Sequence, residues 1–378
     1  MLTRSSRPSS HHYRCVCGRR VFFRNSACLA CGSALGFLSS DASLHALVPG
    51  SSPHTWRVTG HDGLFTRCAN FDTAAGCNWL VPLDDQSPHR YCIACALNRR
   101  IPDLSVPENG ELWGRMERAK RRVIAQLLEL GLPVVSKAVD PRRGLAFDFL
   151  RSLPGQPKVM TGHADGVITI DIDEADDAHR ERARQQLHEP YRTLLGHLRH
   201  EVGHHYWLQL VADTDWLPAC RELFGDERAD YAAALKRNYD NGPPPDWASH
   251  FISAYASSHP WEDWAETWAH YLHLRDTLAT AAGFRLLQPL ADAGGDKPFT
   301  ADALWRPDHP TGPAFLELLH TWIAVTSVMN EMSRAMGQPD FYPFVLVRDV
   351  VPKLHFIHCV IDAAARGDAP PQPRISTP

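Results

Sequence analysis

The 378-residue sequence has no run of about 18 consecutive apolar residues, which excludes a membrane-spanning helix. Its opening stretch, Met1 to Cys15, carries basic and serine residues without the apolar segment a secretory signal needs behind them. No signal and no membrane insertion are therefore expected, and the expected compartment is the cytoplasm. No internal repeat at a fixed period is visible, so a solenoid or propeller is not indicated. Lysine is missing from residues 1–100, which hold 11 Arg and 5 Asp, a surplus of +6 that leaves −10 for the rest of a chain with net charge −4.

A basic first quarter suggests nucleic acid, but eight of the ten cysteines lie in the same stretch. Two sites of four thiolates around Zn²⁺ would each carry two negative charges, which lowers the surplus to about +2. Arginines beside thiolates also have a local purpose, because positive charge favours the thiolate. Specific nucleic-acid binding is accordingly not expected. The cysteines form two groups, Cys15, Cys17, Cys28 and Cys31, then Cys68, Cys77, Cys92 and Cys95, each closing on C-x-x-C. That spacing lets two thiolates grip one tetrahedral ion, and two structural Cys₄ zinc sites are the simplest reading. Interleaved pairing between the groups stays open, while disulfides are disfavoured in a reducing compartment. Cys220 and Cys359 stand apart and read as small buried residues.

With 44% hydrophobic and 22% charged residues the chain has a globular composition and the length for two domains. Residues 1–12 and 365–378 read as unstructured ends. Residues 13–100 are turn-rich and read as a zinc-ribbon module. Residues 101–364 change character. Trp113, Met116, Val123, Leu127 and Leu130 recur at helical spacing, with Gly131 and Pro133 as the stop. Leu145, Phe147 and Phe149 alternate as in a strand, and Val167 to Ile172 is a β-branched run bounded by Gly166 and an acidic stretch. From Pro190 the chain is mostly helical, broken at Gly242-Pro-Pro-Pro245 and Gly294-Gly295, and Asp226, Glu227 and Asp230 suit a helix start. The expected fold class is α+β, a ribbon followed by a mainly helical domain with a small sheet.

His200-Glu-Val-Gly-His204 puts two imidazoles one turn apart on one helix face, where both reach a single ion. Glu201 stands beside them, where a carboxylate takes a proton from a water whose pKa the metal lowers. The pattern alone is only moderately specific, and an ordinary histidine pair is its bland alternative. A third ligand is available on a second helix, Pro260-Trp-Glu-Asp-Trp-Ala-Glu-Thr-Trp-Ala-His270. Trp261, Trp264, Trp268 and Leu272 form its apolar stripe, with Glu262, Glu266 and His273 on another face. Glu262 is the preferred ligand, and Glu266 one turn later can accept the free ring N–H of a ligating histidine. The competing reading of that face is plain solvation. His197 is expected to support or pack, and Gly196 and Gly203 predict a close backbone approach.

H-E-x-x-H followed by Glu-x-x-x-Glu on a later helix resembles the gluzincin metallopeptidases. In that group the first glutamate ligates and the one four later supports. In the branch resembling anthrax lethal factor and the Mlc titration factor peptidases, a tyrosine seven residues before the ligand stabilises the oxyanion, and Tyr255 occupies that place. A longer likeness, over roughly residues 15–362, is to bacterial zinc-binding metallopeptidases with an N-terminal zinc ribbon. It rests on Cys77-Asn-Trp79, Ala119-Lys-Arg-Arg122, Thr161-Gly-His163, Tyr191-Arg-Thr-Leu-Leu-Gly-His197, Phe224-Gly-Asp-Glu227, His259-Pro-Trp-Glu262 and Tyr342-Pro-Phe344. Cys15-Val-Cys17 departs from the usual C-x-x-C.

The resemblance implies a zincin-like domain over residues 101–364, one catalytic and two structural zinc ions, a peptide or protein substrate, Glu201 as general base and Tyr255 as oxyanion donor. The strand Val167–Ile172 is the expected edge for an extended substrate. Two other functions stay open: a zinc-ribbon adaptor with a silent zincin domain that binds a protein or nucleic acid, and a zinc hydrolase of a non-peptide amide, which uses the same residues. Oligomeric state has no signature here.

Overall fold

The computed structural model describes residues 11–83, 90–153, 155–186, 192–288 and 297–368. The first ten residues of the expected N-terminal tail, the final ten of the C-terminal one, Tyr191 and the Gly294-Gly295 break lie outside the described residues. Two compact units divide the chain, one made of Met1–Glu129, Pro133–Ala183 and Ala279–Phe284, the other of Leu130–Leu132, Arg184–Leu278 and Arg285–Pro378.

In the first unit, β1 (Tyr13–Arg14) pairs antiparallel with β2 (Arg20–Val21), and the reversal passes through Gly18 at φ +81°. A five-stranded antiparallel meander follows in sequence order: β3 (Leu35–Leu38), β4 (Ser43–Pro49), β5 (Thr55–Val58), β6 (Phe65–Arg67) and β7 (Leu80–Pro82). Leu38, Leu47, Val58, Phe65 and Leu80 form its core. Sequence reading expected turns here but not this sheet, because strands of three to seven residues are too short for a period of two to stand out.

Helix α1 (Pro107–Glu129) ends on Gly131 as expected, with Trp113, Met116, Val123 and Leu127 buried. The second sheet has the order β10 (Gly162–Ala164), β11 (Val167–Asp171), β9 (Ala146–Leu150), β8 (Asn98–Arg100). β11 is antiparallel to β10 and parallel to β9. The strand expected to offer an edge to substrate is therefore interior: β9 pairs with it along Val167–Asp171 and β10 along Val167–Thr169, and that expectation is corrected. β9 does not alternate in burial either, since Asp148 is 2% exposed like its apolar neighbours, held by Arg99 through Nε at 2.9 Å and Nη2 at 2.5 Å. His11, counted with the unstructured end, is buried against Thr280 and Glu129 at 2.8 and 3.1 Å.

After α2 (Asp177–Gln186), the second unit is helical: α3 (Leu194–Leu210), α4 (Leu217–Phe224), α5 (Tyr231–Asn241), α6 (Trp247–His250), α7 (Pro260–Gly283, whose last turn belongs to the first unit), α8 (Gly312–Ala335) and α9 (Val351–Arg366). Thr193 caps α3 by accepting from Gly196 N–H at 3.0 Å, and Asp230 caps α5 by accepting from Ala233 N–H at 3.0 Å. α9 runs to Arg366 and stops on Gly367 at φ +70°, so residues 365 and 366, read as tail, are helical. α3 and α7 meet at Gly203, where a methyl group would lie 3.1 Å from Trp268 and 3.2 Å from the Ala265 backbone. Trp264 Nε1 donates to the Gly203 carbonyl at 2.9 Å across the same contact. α7 is buried nearly all round, with Trp264, Trp268, Tyr271 and Leu272 on some faces and Glu262, Asp263 and Thr267 on others. Among the described residues no helix is long and apolar enough to cross a membrane.

Candidate metal centres

α3 places His200 and His204 one turn apart with ring centroids 5.0 Å apart, as its period requires. α7 brings Glu262 across to them. Glu262 Oε2 is 3.0 Å from His200 Nε2, and Oε1 is 3.7 Å from His204 Nε2. One ligand atom from each of the three side chains lies within 4.8 Å of the others. A tetrahedral ion with nitrogen and oxygen ligands at about 2.0–2.1 Å sets ligand-to-ligand edges of about 3.3 Å. The observed pair straddles that value. Glu262 Oε2 is buried with no hydrogen-bond donor aligned on it, although an imidazole nitrogen is 3.0 Å away. Two ligand atoms facing one another in this way fit a cation between them. At 1% exposure Glu262 is not on a solvated face, which removes the bland reading of that helix surface.

Glu266 lies on the other side of His200, its Oε1 2.6 Å from Nδ1, while Ser253 Oγ donates to Oε2 at 2.6 Å. The two glutamates thus face opposite nitrogens of one ring. Tyr231, at the start of α5, donates its hydroxyl to Glu262 Oε1 at 2.6 Å. Burial would raise the Glu262 carboxyl, but His200, His204 and Tyr231 together hold it at about 2. For His200 burial pulls the pKa down and the two carboxylates drive it well above its ordinary value. Metal binding displaces that proton. Burial lowers His204, only partly opposed by Glu262.

Glu201 is 5% exposed and its Oε2 has no hydrogen-bond partner among the described residues. Burial pushes its pKa up, yet His197, with Nε2 at 3.4 Å from Oε1, and the imidazoles of His200 and His204 bring it below the usual glutamate value. Tyr255 opens the turn before α7, its ring 6.0 Å from that of His200, and Trp261 lies 4.5 Å from the His204 ring. Sequence reasoning missed Tyr231 and Ser253. Both reach the centre from separate segments, with no spacing rule tying them to it.

The eight N-terminal cysteines converge as two separate clusters rather than an interleaved set. Sulfur pairs stand 3.5 Å apart for Cys15 and Cys31, 3.7 Å for Cys17 and Cys28, and 3.7 Å for Cys77 and Cys92. A tetrahedral Zn–S distance of about 2.3 Å sets edges of about 3.8 Å, whereas a disulfide requires about 2.05 Å. Cys17 and Cys31 are exposed in the first cluster, and the Ser33 hydroxyl beside Cys31 lowers that thiol to about 6. All four sulfurs of the second cluster belong to buried residues. Its cations come from α1: Arg121, drawn by Cys77, Cys92 and Cys95, and Lys120, paired with Glu117 at 2.7 Å. Glu117 in turn lies 3.7 Å from Cys95 Sγ. Cys220 is buried as expected. Cys359 is buried but not alone, because it faces His355 one turn earlier on α9 at 3.6 Å.

A family described as "putative zinc-binding metallo-peptidase" matches residues 109–360, and a zinc-ribbon domain matches residues 12–106. Uncharacterized proteins of Mycobacterium bovis and of Mycobacterium tuberculosis are 45% identical over 351 residues, covering 92% of this chain and 94% of theirs. No solved structure matches. Cysteine clusters of zinc-site dimensions in the ribbon, a His–His–Glu centre between α3 and α7, and a match over most of the remaining chain lead to one assignment: this chain belongs to the zinc-binding metallo-peptidase family and carries that family's fold behind an N-terminal zinc ribbon.

Proposed function

We propose that the chain is a gluzincin-type peptidase that hydrolyses peptide bonds of a peptide or protein substrate in the cytoplasm. In this reading residues 13–100 form the ribbon module and 101–364 the peptidase domain. His200, His204 and Glu262 hold the catalytic zinc, Glu266 orients His200 through Nδ1, and the two cysteine clusters hold structural zinc. The bound ion supplies Lewis acidity and acidifies water at its open position. Glu201 takes the proton of the attacking water on its unpartnered Oε2, then returns it to the leaving amine nitrogen. Burial pushes the Glu201 carboxyl up, and the bond from His197 to its other oxygen pulls it down and favours the ionised form that acts as a base. Burial raises the Tyr255 phenol far above its ordinary range, which keeps the hydroxyl protonated to donate to the developing oxyanion.

The observation that carries this reading is the buried Glu201 carboxylate, with one oxygen uncommitted, beside three converging ligands. Glu201→Gln is expected to retain zinc while losing about 10²- to 10⁴-fold in hydrolysis of an unfolded protein substrate such as casein. Wild-type turnover in that variant sinks the proposal. A partner-binding protein with a silent centre would instead show no turnover in either form.

A further inference from the structure

Away from His200, His204 and Glu262, the helical unit gathers a second set of metal-type donors. His309 lies on the loop before α8, whereas His355 and Cys359 are one turn apart on α9 and share a face. A ligand atom from each of the three lies within 4.8 Å of the others. His355 Nε2 is 3.6 Å from Cys359 Sγ. A tetrahedral ion with nitrogen at about 2.05 Å and sulfur at about 2.3 Å sets an edge of about 3.6 Å. The sulfur pairs of the two cysteine clusters, at 3.5, 3.7 and 3.7 Å, lie close to their own expected edge of about 3.8 Å.

The approach of His309 needs a separate cause, because a lone His–Cys hydrogen bond on α9 asks for no third partner. Thr311 holds His309 Nδ1 through Oγ1 at 2.8 Å and its backbone N–H at 3.3 Å, which fixes the ring; Nε2 is the ligand atom in the tautomer whose Nδ1–H donates to Oγ1. His355 is 0% exposed and its Nδ1 has no hydrogen-bond partner among the described residues. His309 is half-buried, which leaves an entry path.

We propose that His309, His355 and Cys359 bind a further transition-metal ion, Zn²⁺ by the chemistry of a thiolate with two imidazoles, with a fourth position for an exchangeable small ligand. The ion ties the 304–311 loop to α9. Nitrogen and sulfur donors select against Ca²⁺ and Mg²⁺. The site is independent of the hydrolytic reading, and its test does not use turnover.

Full-length protein purified under reducing conditions, saturated with Zn²⁺ and cleared of loose metal, is analysed for zinc per chain as wild type, His204→Ala, His309→Ala and Cys359→Ala. The last two are each expected to lose about one equivalent, and to lose it again when combined with His204→Ala. Co²⁺-loaded Cys359→Ala is expected to lose part of the thiolate-to-cobalt absorption. Circular dichroism monitors folding, and His309→Ala, a change on a half-buried loop, decides the matter if Cys359→Ala unfolds. Wild-type zinc content in folded His309→Ala overturns the site, as does a loss not additive with that of His204→Ala. Loss of the equivalent in His204→Ala bears on the catalytic centre alone.

Discussion

One imidazole does two jobs in this molecule. His200 faces Glu262 through Nε2 and Glu266 through Nδ1, so a carboxylate on each side fixes which nitrogen is left for an ion. Glu262→Ala is expected to abolish zinc at this centre, while Glu266→Gln weakens it about 10- to 100-fold without losing it. The reverse order, read by chelator competition, exchanges the roles of the two. Tyr231→Phe removes the 2.6 Å donor to Glu262 Oε1 and is expected to weaken zinc by a similar factor; unchanged affinity means the bond carries no weight. His270 offers a test of burial. Its ring is interior, bonded to the Tyr342 hydroxyl at 2.6 Å, and burial holds it at about 4. The unfolded chain protonates this ring near 6.5, so protons favour unfolding between roughly 6.5 and 4, and stability falls with pH across that window. Between pH 7.5 and pH 5 the group should cost about 2 kcal/mol. His270→Gln is expected to flatten that part of the denaturation-midpoint profile; a slope equal to wild type removes His270 as its source.

Elements set the distances that these residues need. An α-helix repeats every 3.6 residues, so His200 and His204 come to one face of α3 by its own geometry. Glu262 reaches them only because α7 lies close against α3, and Gly203 is what permits the approach. Gly203→Ala forces a methyl against Trp268 and the Ala265 backbone, at a cost of about 1–3 kcal/mol, with zinc affinity at the centre falling in parallel. An alanine variant with wild-type stability and affinity places no constraint on the helix spacing. Among the strands, β11 illustrates the opposite case. Its β-branched run is plain in the sequence, but whether a strand is an edge depends on what comes to lie beside it, and β10 and β9 occupy both sides.

Across the whole chain the zinc ribbon and the helical unit are held by different means. The second cysteine cluster is buried with α1 cations beside it, whereas two sulfur-bearing residues of the first are exposed. A chelator is therefore expected to strip the cluster of Cys15, Cys17, Cys28 and Cys31 before that of Cys68, Cys77, Cys92 and Cys95. Metal release followed with Cys17→Ser and Cys77→Ser variants assigns the two phases, and the opposite order contradicts the exposure argument.

What the sequence by itself determined is everything with a local period or a short spacing. The His200/His204 pair, the two C-x-x-C closures, the Glu262 and Glu266 repeat, α1 with its Gly131 stop and the Asp230 cap are all of this kind, because bonded geometry ties neighbours within a turn or two. Tertiary structure alone decided the Tyr231 and Ser253 donors, the five-stranded meander, the interior place of β11 and the meeting of His309 with His355 and Cys359. The side-chain contacts among these join segments far apart in the chain, while the meander pairs neighbouring strands too short to show a period of two. They arise from packing, and packing leaves no period in the sequence to read.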